Sequence, residues 1–526
     1  MRRSIPLWVL ALVLGASSAP LAAFEVEEAS LAELAAAQVE GRASAQDLVR
    51  AYLDRIERID RQGPALNAVI ELNPDALEIA AALDAERAEG RVRGPLHGIP
   101  VLLKDNIDTA DRMQTSAGSL ALVGTPALTD STVAARLREA GAVILGKTNL
   151  SEWANFRGRR SSSGWSSRGG QTHNPYALER TPCGSSSGSG VAAAASLAAA
   201  TVGTETDGSI VCPSAVNGVV GIKPSIGLIS RAGIVPISES QDTAGPMART
   251  VADAALLLQA LVGADPRDPA TAEAAERVQD YVAALDPGAL RGARIGVVRQ
   301  LSGYHAGVDA VFEQALAALR EAGAELVDPV PLPTRGEAAQ AEFTVLVHEF
   351  KDGLDAYLAT RQGVPVGSLA ELIAYNRLNA AQVLPWFGQQ LLEQAENSGG
   401  TAAEAYLEAR EKARRLAGAE GIDAALAEHG LDALVAPTTA PAWPVDWVNG
   451  DHYLGGSAGM AAIAGYPNIT VPMGQVHGLP VGLSIFGAKF SEARLIGLAY
   501  AFEQATRARR PPGYARGLPA GVPAAP

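Results

Sequence analysis

The chain has 526 residues, of which 48% are hydrophobic and 19% charged, and its formal net charge is −14. That length and hydrophobic content are ample for a large core. The negative charge makes a nucleic-acid backbone a poor partner.

In chain order, residues 1–23 read as a secretory signal. Arg2 and Arg3 form a positive start, the apolar stretch 5–14 is too short to span a bilayer, and small residues lead to a cleavage point near Ala23. A periplasmic or secreted protein that begins near Phe24 is the expectation, with no membrane span left after cleavage. Ser30 with Glu33, and Ser44 with Asp47, predict two capped helices, the second carrying Leu48, Tyr52 and Ile56 on one face. Asn73-Pro74 opens a third. "GIPVLLKDNI" (98–107) predicts a buried strand that ends in charge. "STVAARLREAGAVILGKT" (131–148) predicts a helix, a glycine stop at Gly141 and a strand over 142–145.

The segment 190–202 is nearly all alanine and predicts a helix buried on every side. "GARIGVV" (292–298), a helix to about Ala322 and "AELVDPV" make a β-α-β pattern. Helices fill 335–430. Three strands follow in "DALVAPT", "NITVPMG" and "LPVGLSIFG", then a last helix from about Ser491. Strands and helices mix with no linker and no repeat, so 24–510 reads as one large α/β domain. The Pro/Gly-rich tail 511–526 is expected to be disordered.

Two motifs fail on context. "GAVILGKT" (141–148) fits the P-loop pattern, but Ala-Val-Ile-Leu between its glycines belongs inside a strand and cannot wrap phosphate. "GSSSG" (184–188) centres Ser186 as in a nucleophile elbow, but a loop precedes it where an apolar strand is required. The seven histidines are scattered with no metal-ligand spacing, so neither a metal nor a cofactor is expected.

A better constellation has three parts: Lys104 at the end of an apolar strand, the glycine–serine loop 184–190, and "GTETDGSIVCPS" (203–214), where Gly203 and Gly208 permit successive N–H groups to point at one place. Ser209 sits at that point.

These blocks, with "RGPLHGIPVLLKDNID", "GAVILGKTNLSEWA", "HNPYALERTPCGSSSGSG", "QDTAGPMARTVADAALLL" and "AGYPNITVPMG", resemble the amidase signature family, in its order, over about residues 27–508. Within the family, "SEWANFRG", "GWSSRGGQTHNPY" and "TETDGSIVCP" are similar to the bacterial peptide amidases. The resemblance implies a single domain with a mixed, twisted sheet covered by helices on both faces. It places the nucleophile on Ser209, a bridging serine after a cis peptide bond on Ser185, and the base on Lys104. Backbone N–H groups of Thr206, Asp207 and Gly208 would form the oxyanion hole, and Asn155 and Asp207 are candidate substrate contacts.

The implied activity is hydrolysis of a peptide's C-terminal carboxamide to acid and ammonia. The alternatives are a broad acylamide or aryl-amide amidase, an amidotransferase A-type subunit that works on aminoacyl-tRNA, and a non-catalytic binding protein. A secretory signal speaks against the amidotransferase, and the intact Lys104, Ser185 and Ser209 speak against a binding protein. The expected partner is a small-molecule or peptide amide. The chain departs from the family's usual Asp-x-Gly-Gly-Ser-Ile-Arg, carrying Glu205, Asp207 and Val211 at three of those positions. The Asp207 carboxylate either lines the pocket or bonds nearby backbone. If the two serines touch, Cys183 and Cys212 lie close as well; free thiols are the expectation, since free buried Cys is the commoner state.

Overall fold

The computed structural model describes residues 24–518; the expected signal 1–23 and the end of the tail, 519–526, lie outside the described residues. The strands in chain order are β1 Val69–Leu72, β2 Pro100–Lys104, β3 Val143–Thr148, β4 Trp165–Ser166, β5 Gly170–Gln171, β6 Ala200–Glu205, β7 Val220–Lys223, β8 Thr243–Ala248, β9 Arg294–Val297, β10 Glu325–Val327, β11 Ala433–Pro437, β12 Asn468–Val476 and β13 Leu479–Phe486. β4 and β5 form a small hairpin; the rest form one 11-stranded sheet in the order β1-β3-β2-β6-β8-β7-β12-β13-β11-β9-β10. The sheet is mixed: β2 runs parallel to β3 and β6, β9 runs parallel to β10 and β11, and the pairs between these groups are antiparallel.

Helices cover both faces, as expected. Successive side chains of a strand point to opposite faces. In β11, Ala433 and Val435 join the large core that holds Val101, Leu103 and Val471, while Leu434 and Ala436 join a second core with Val345, Leu416 and Met460. Both faces of one strand are therefore buried.

The two N-terminal helices, Leu31–Val39 and Ala45–Arg55, carry both predicted capping boxes. The β-α-β unit is β9, the helix Ala306–Glu321 and β10. The strand after Gly141 runs on to Thr148, so the "GKT" of the rejected P-loop is strand, with Lys147 buried and its Nζ donating to Ile107 O at 2.6 Å.

The alanine-rich segment differs from expectation. Its helix is Ser187–Ala194, and Ala200–Glu205 is a central strand. An all-apolar run reads the same in a buried helix and a buried strand. Here Thr201, Val202 and Thr204 supply the β-branched residues that favour the extended form. Of the tail, residues 511–518 are described: Tyr514 N–H donates to Pro175 O at 2.9 Å, and Ala515 bridges to Ala177. Among the described residues no helix is long and apolar enough to cross a membrane.

Candidate active site

The site forms at the carboxyl ends of the adjacent parallel strands β2 and β6, where chains leaving a sheet leave a crevice. Val101, Leu102 and Leu103 of β2 are fully buried. Each such side chain contributes about 1.5–3 kcal/mol. Their burial offsets the cost of carrying Lys104, also fully buried, at the strand end. Lys104 Nζ donates to Ser185 Oγ at 2.7 Å, to Thr204 Oγ1 at 2.9 Å and to Thr204 O at 3.2 Å. Burial pulls the Lys104 ammonium down to about 7, against the opposing pull of Asp242 and Glu205.

The glycine–serine loop is held from several sides. The Gly184–Ser185 bond is cis. Gly184 lies against Ser151, whose Oγ a Cβ there would strike. Ser151 N–H donates to Ser185 O at 3.1 Å, and Ser187 Oγ donates to Cys183 O at 2.6 Å. Ser186, the centre of the rejected elbow, is fully buried; its Oγ donates to Thr204 O at 2.9 Å and accepts from Thr204 N at 3.1 Å. Its hydroxyl therefore ties this loop to β6.

The Ser209 loop meets the first loop through its backbone. Ser186 N–H donates to Ser209 O at 3.1 Å. Cys183 and Cys212 are bonded with their Cα atoms 6.0 Å apart, which corrects the expectation of free thiols. The converging loops bring them within the 4.4–6.8 Å range of a disulfide. Ser209 is 8% exposed, against 0% for Lys104 and Ser185. Among the described residues no hydrogen bond joins Ser209 Oγ to Ser185 Oγ.

The family pattern's Asp is here Glu205, and its carboxylate accepts from Ile210 N at 2.7 Å and Val211 N at 3.0 Å. Among the described residues the N–H groups of Thr206, Asp207, Gly208 and Ser209 have no acceptor. Gly208 holds φ +82°, the left-handed turn that aims this run of N–H groups. The loop is braced by Asp242, which accepts from Ile237 N at 2.7 Å, Ser238 N at 2.9 Å and the Thr206 hydroxyl.

A cleft of about 400 Å³ opens over this loop, lined by Asn155, Gly184, Asp207, Gly208, Trp443 and Tyr453 among others. Both candidate substrate contacts are thus in it. Trp153, Ala154 and Asn155 all hold positive φ. Left-handed backbone costs roughly 1–2 kcal/mol per residue. Burial of Trp153 and the fully buried Glu152–Arg157 ion pair at 2.8 Å hold the segment there. The Arg157 guanidinium in turn lies 4.1 Å from the Phe387 ring centre. Neither this cleft nor a larger cavity of about 810 Å³, lined by Arg410, Arg414 and Tyr466, is lined by Lys104, Ser185 or Ser209 themselves; the cleft is lined by their chain neighbours Gly184 and Gly208, and the larger cavity is not.

Asp207 lines the cleft as an exposed residue; the surrounding protein, then Glu205, push its carboxyl upward, against Lys223. It accepts no hydrogen bond from nearby backbone among the described residues, so of the two roles weighed for it, lining the pocket is the one observed. Thr204, Gln241, Asp242 and Glu342 were not singled out from sequence. Thr204 lies inside the quoted glycine block, on β6, whose residues are all buried. Glu342 is on the helix Arg335–Ala359, and nothing local in the sequence marks it.

The amidase family profile matches residues 47–496. The chain is 43% identical over 503 residues to a probable amidase of Arabidopsis thaliana, covering 93% of this chain and 92% of the relative. It is 39% identical to the A-type subunit of the glutamyl-tRNA(Gln) amidotransferase of Salinispora arenicola, covering 92% and 98%. The crystal structure of the native peptide amidase of Stenotrophomonas maltophilia superposes with a TM-score of 0.89 at 58% identity, covering 93% of this chain and 99% of that one. The chain therefore belongs to the amidase signature family and is a hydrolase of amide C–N bonds.

Proposed function

We propose that the enzyme hydrolyses the C-terminal carboxamide of peptides to acid and ammonia, with Ser209 as nucleophile, Ser185 as relay and Lys104 as base. The observation that carries this reading is the buried Lys104–Ser185 hydrogen bond beside a run of backbone N–H groups that have no acceptor. A neutral lysine has two N–H bonds and one lone pair. Thr204 O and Oγ1 accept the two N–H bonds, which leaves the lone pair for the Ser185 proton.

As Ser209 Oγ attacks the carboxamide carbon, its proton passes to Ser185 and the Ser185 proton to Lys104. The carbonyl oxygen takes the electron pair and accepts from the N–H groups around Thr206, Asp207 and Gly208. Each such donor is worth about 3 kcal/mol of barrier. The C–N bond then breaks, the relay returns a proton to the leaving nitrogen, and ammonia departs. Water, deprotonated through the same relay, releases the peptide acid from Ser209.

Peptide amides are favoured over other substrates by the 58% identity to a peptide amidase, against 39% to the amidotransferase chain. Ammonia release is the test. Blocked dipeptide amides should be hydrolysed with their internal peptide bonds intact. Cleavage of internal bonds, or activity confined to small aliphatic amides, would contradict the substrate assignment and leave the serine–serine–lysine relay standing.

Export is part of the same reading. The composition of residues 1–23 supports it, as does the Cys183–Cys212 bond, since disulfides persist in oxidising compartments. N-terminal sequencing of the protein from the producing cell should begin near Phe24 in the periplasmic or medium fraction. Intact Met1 in the cytoplasmic fraction would contradict it.

A further inference from the structure

The cleft holds oxygen atoms for which the fold supplies no donor. Asp207 lines it without an ion pair or hydrogen bond among the described residues. Asn155 Oδ1 is buried and likewise has no partner. Glu342, 8% exposed, accepts from Gln241 Nε2 at 2.8 Å. The same Nε2 donates to Thr206 O at 3.3 Å, so one amide group ties Glu342 to the peptide unit that precedes Asp207.

No cation of the chain neutralises these carboxyls at contact distance among the described residues. Lys223 acts on Asp207, but it is buried and its Nζ donates to Pro224 O at 3.2 Å. Arg159 and Arg160 line the same cleft, and neither pairs with Asp207. Burial pushes the Glu342 carboxyl well up, and the charge of Asp207 adds to this. The Asp207 carboxyl is exposed in the cleft with no counter-ion of the chain, and a cation on the substrate would supply one. Asp207 is two residues from Ser209, so such a charge would lie close to the scissile carbon.

We propose that Asp207, backed by Glu342, is a specificity determinant that selects amides carrying a positive charge close to the scissile carboxamide. This rests on the reading of Ser209 as the nucleophile. The charge is an ammonium or guanidinium, supplied by a basic C-terminal side chain or by the free α-amino group of an amino-acid amide.

The test compares kcat/KM within matched pairs. Acetyl-Ala-Lys-amide against acetyl-Ala-norleucine-amide reads the side chain; leucinamide against acetyl-leucinamide reads the α-amino group; 6-aminohexanamide against hexanamide asks the same question without a peptide. The wild-type enzyme should favour the cationic member more than threefold in at least one pair, and that pair identifies the source. Asp207→Asn keeps the backbone N–H and should bring the ratio close to one; Asp207→Glu should restore it, and Glu342→Gln should lower it partway. A merely structural role lowers both members alike and leaves the ratio unmoved. A wild-type preference of threefold or less in every pair, or a ratio unchanged in Asp207→Asn, overturns the proposal. If Asp207→Asn does not fold, the wild-type pairs and Glu342→Gln decide. If no peptide amide is hydrolysed, the peptide-amide assignment fails, and the aminohexanamide pair still decides charge selection.

Discussion

Ser209→Ala should lower kcat/KM for amide hydrolysis by about 10⁴-fold or more, because it removes the atom that forms the covalent bond. Ser185→Ala and Lys104→Ala should each cost nearly as much, since groups that act as a unit lose activity non-additively. Ser186→Ala is the informative contrast. Its hydroxyl bonds both Thr204 N and Thr204 O, so its loss should cost about 1–3 kcal/mol of stability. Activity should nevertheless stay far above that of Ser209→Ala. An active Ser209→Ala with an inactive Ser186→Ala would reverse the assignment and restore the elbow that its sequence context argued against.

The second large effect is on pH. A lysine ammonium has no lone pair, so the relay runs only when Lys104 is neutral. Burial brings Lys104 down to about 7. The sign follows: above about pH 7 the base is available, and below it protonation removes activity by roughly tenfold per pH unit. Asp242, raised to about 6 by burial, titrates nearby and braces the Ser209 loop. Lys104→Met separates the two groups. It should remove the limb near pH 7 along with most of the rate, while any limb due to Asp242 persists. A profile unchanged in Lys104→Met would place the base elsewhere.

Much of this site was legible because its signals are local. Lys104 ends a short apolar run that follows Gly98 and Pro100 and so reads as a buried strand, and the glycine–serine blocks are unusual enough to name a family. Other features were not legible, for physical reasons. The alanine-rich segment reads the same as buried helix or buried strand until its neighbours are known, and β6 emerges only from pairing with β2 and β8. The disulfide depends on how closely two loops converge, which no spacing in the chain reports. Glu342 meets Gln241 through a long-range packing of Arg335–Ala359 against the Gln241 segment, and in sequence it is an ordinary acidic residue of a helix.

The relay chemistry predicts a covalent intermediate on one atom, and trapping it tests the account most directly. The enzyme would be mixed with a blocked dipeptide methyl ester, whose small and better leaving group speeds acylation so that the acyl-enzyme accumulates, quenched in acid during turnover, digested and analysed by mass spectrometry. The account predicts an acyl group on the fragment containing residue 209, located on Ser209 by fragmentation and absent from Ser209→Ala. An acyl group on Ser185, Ser186 or Ser187, or turnover through no covalent species, would contradict it.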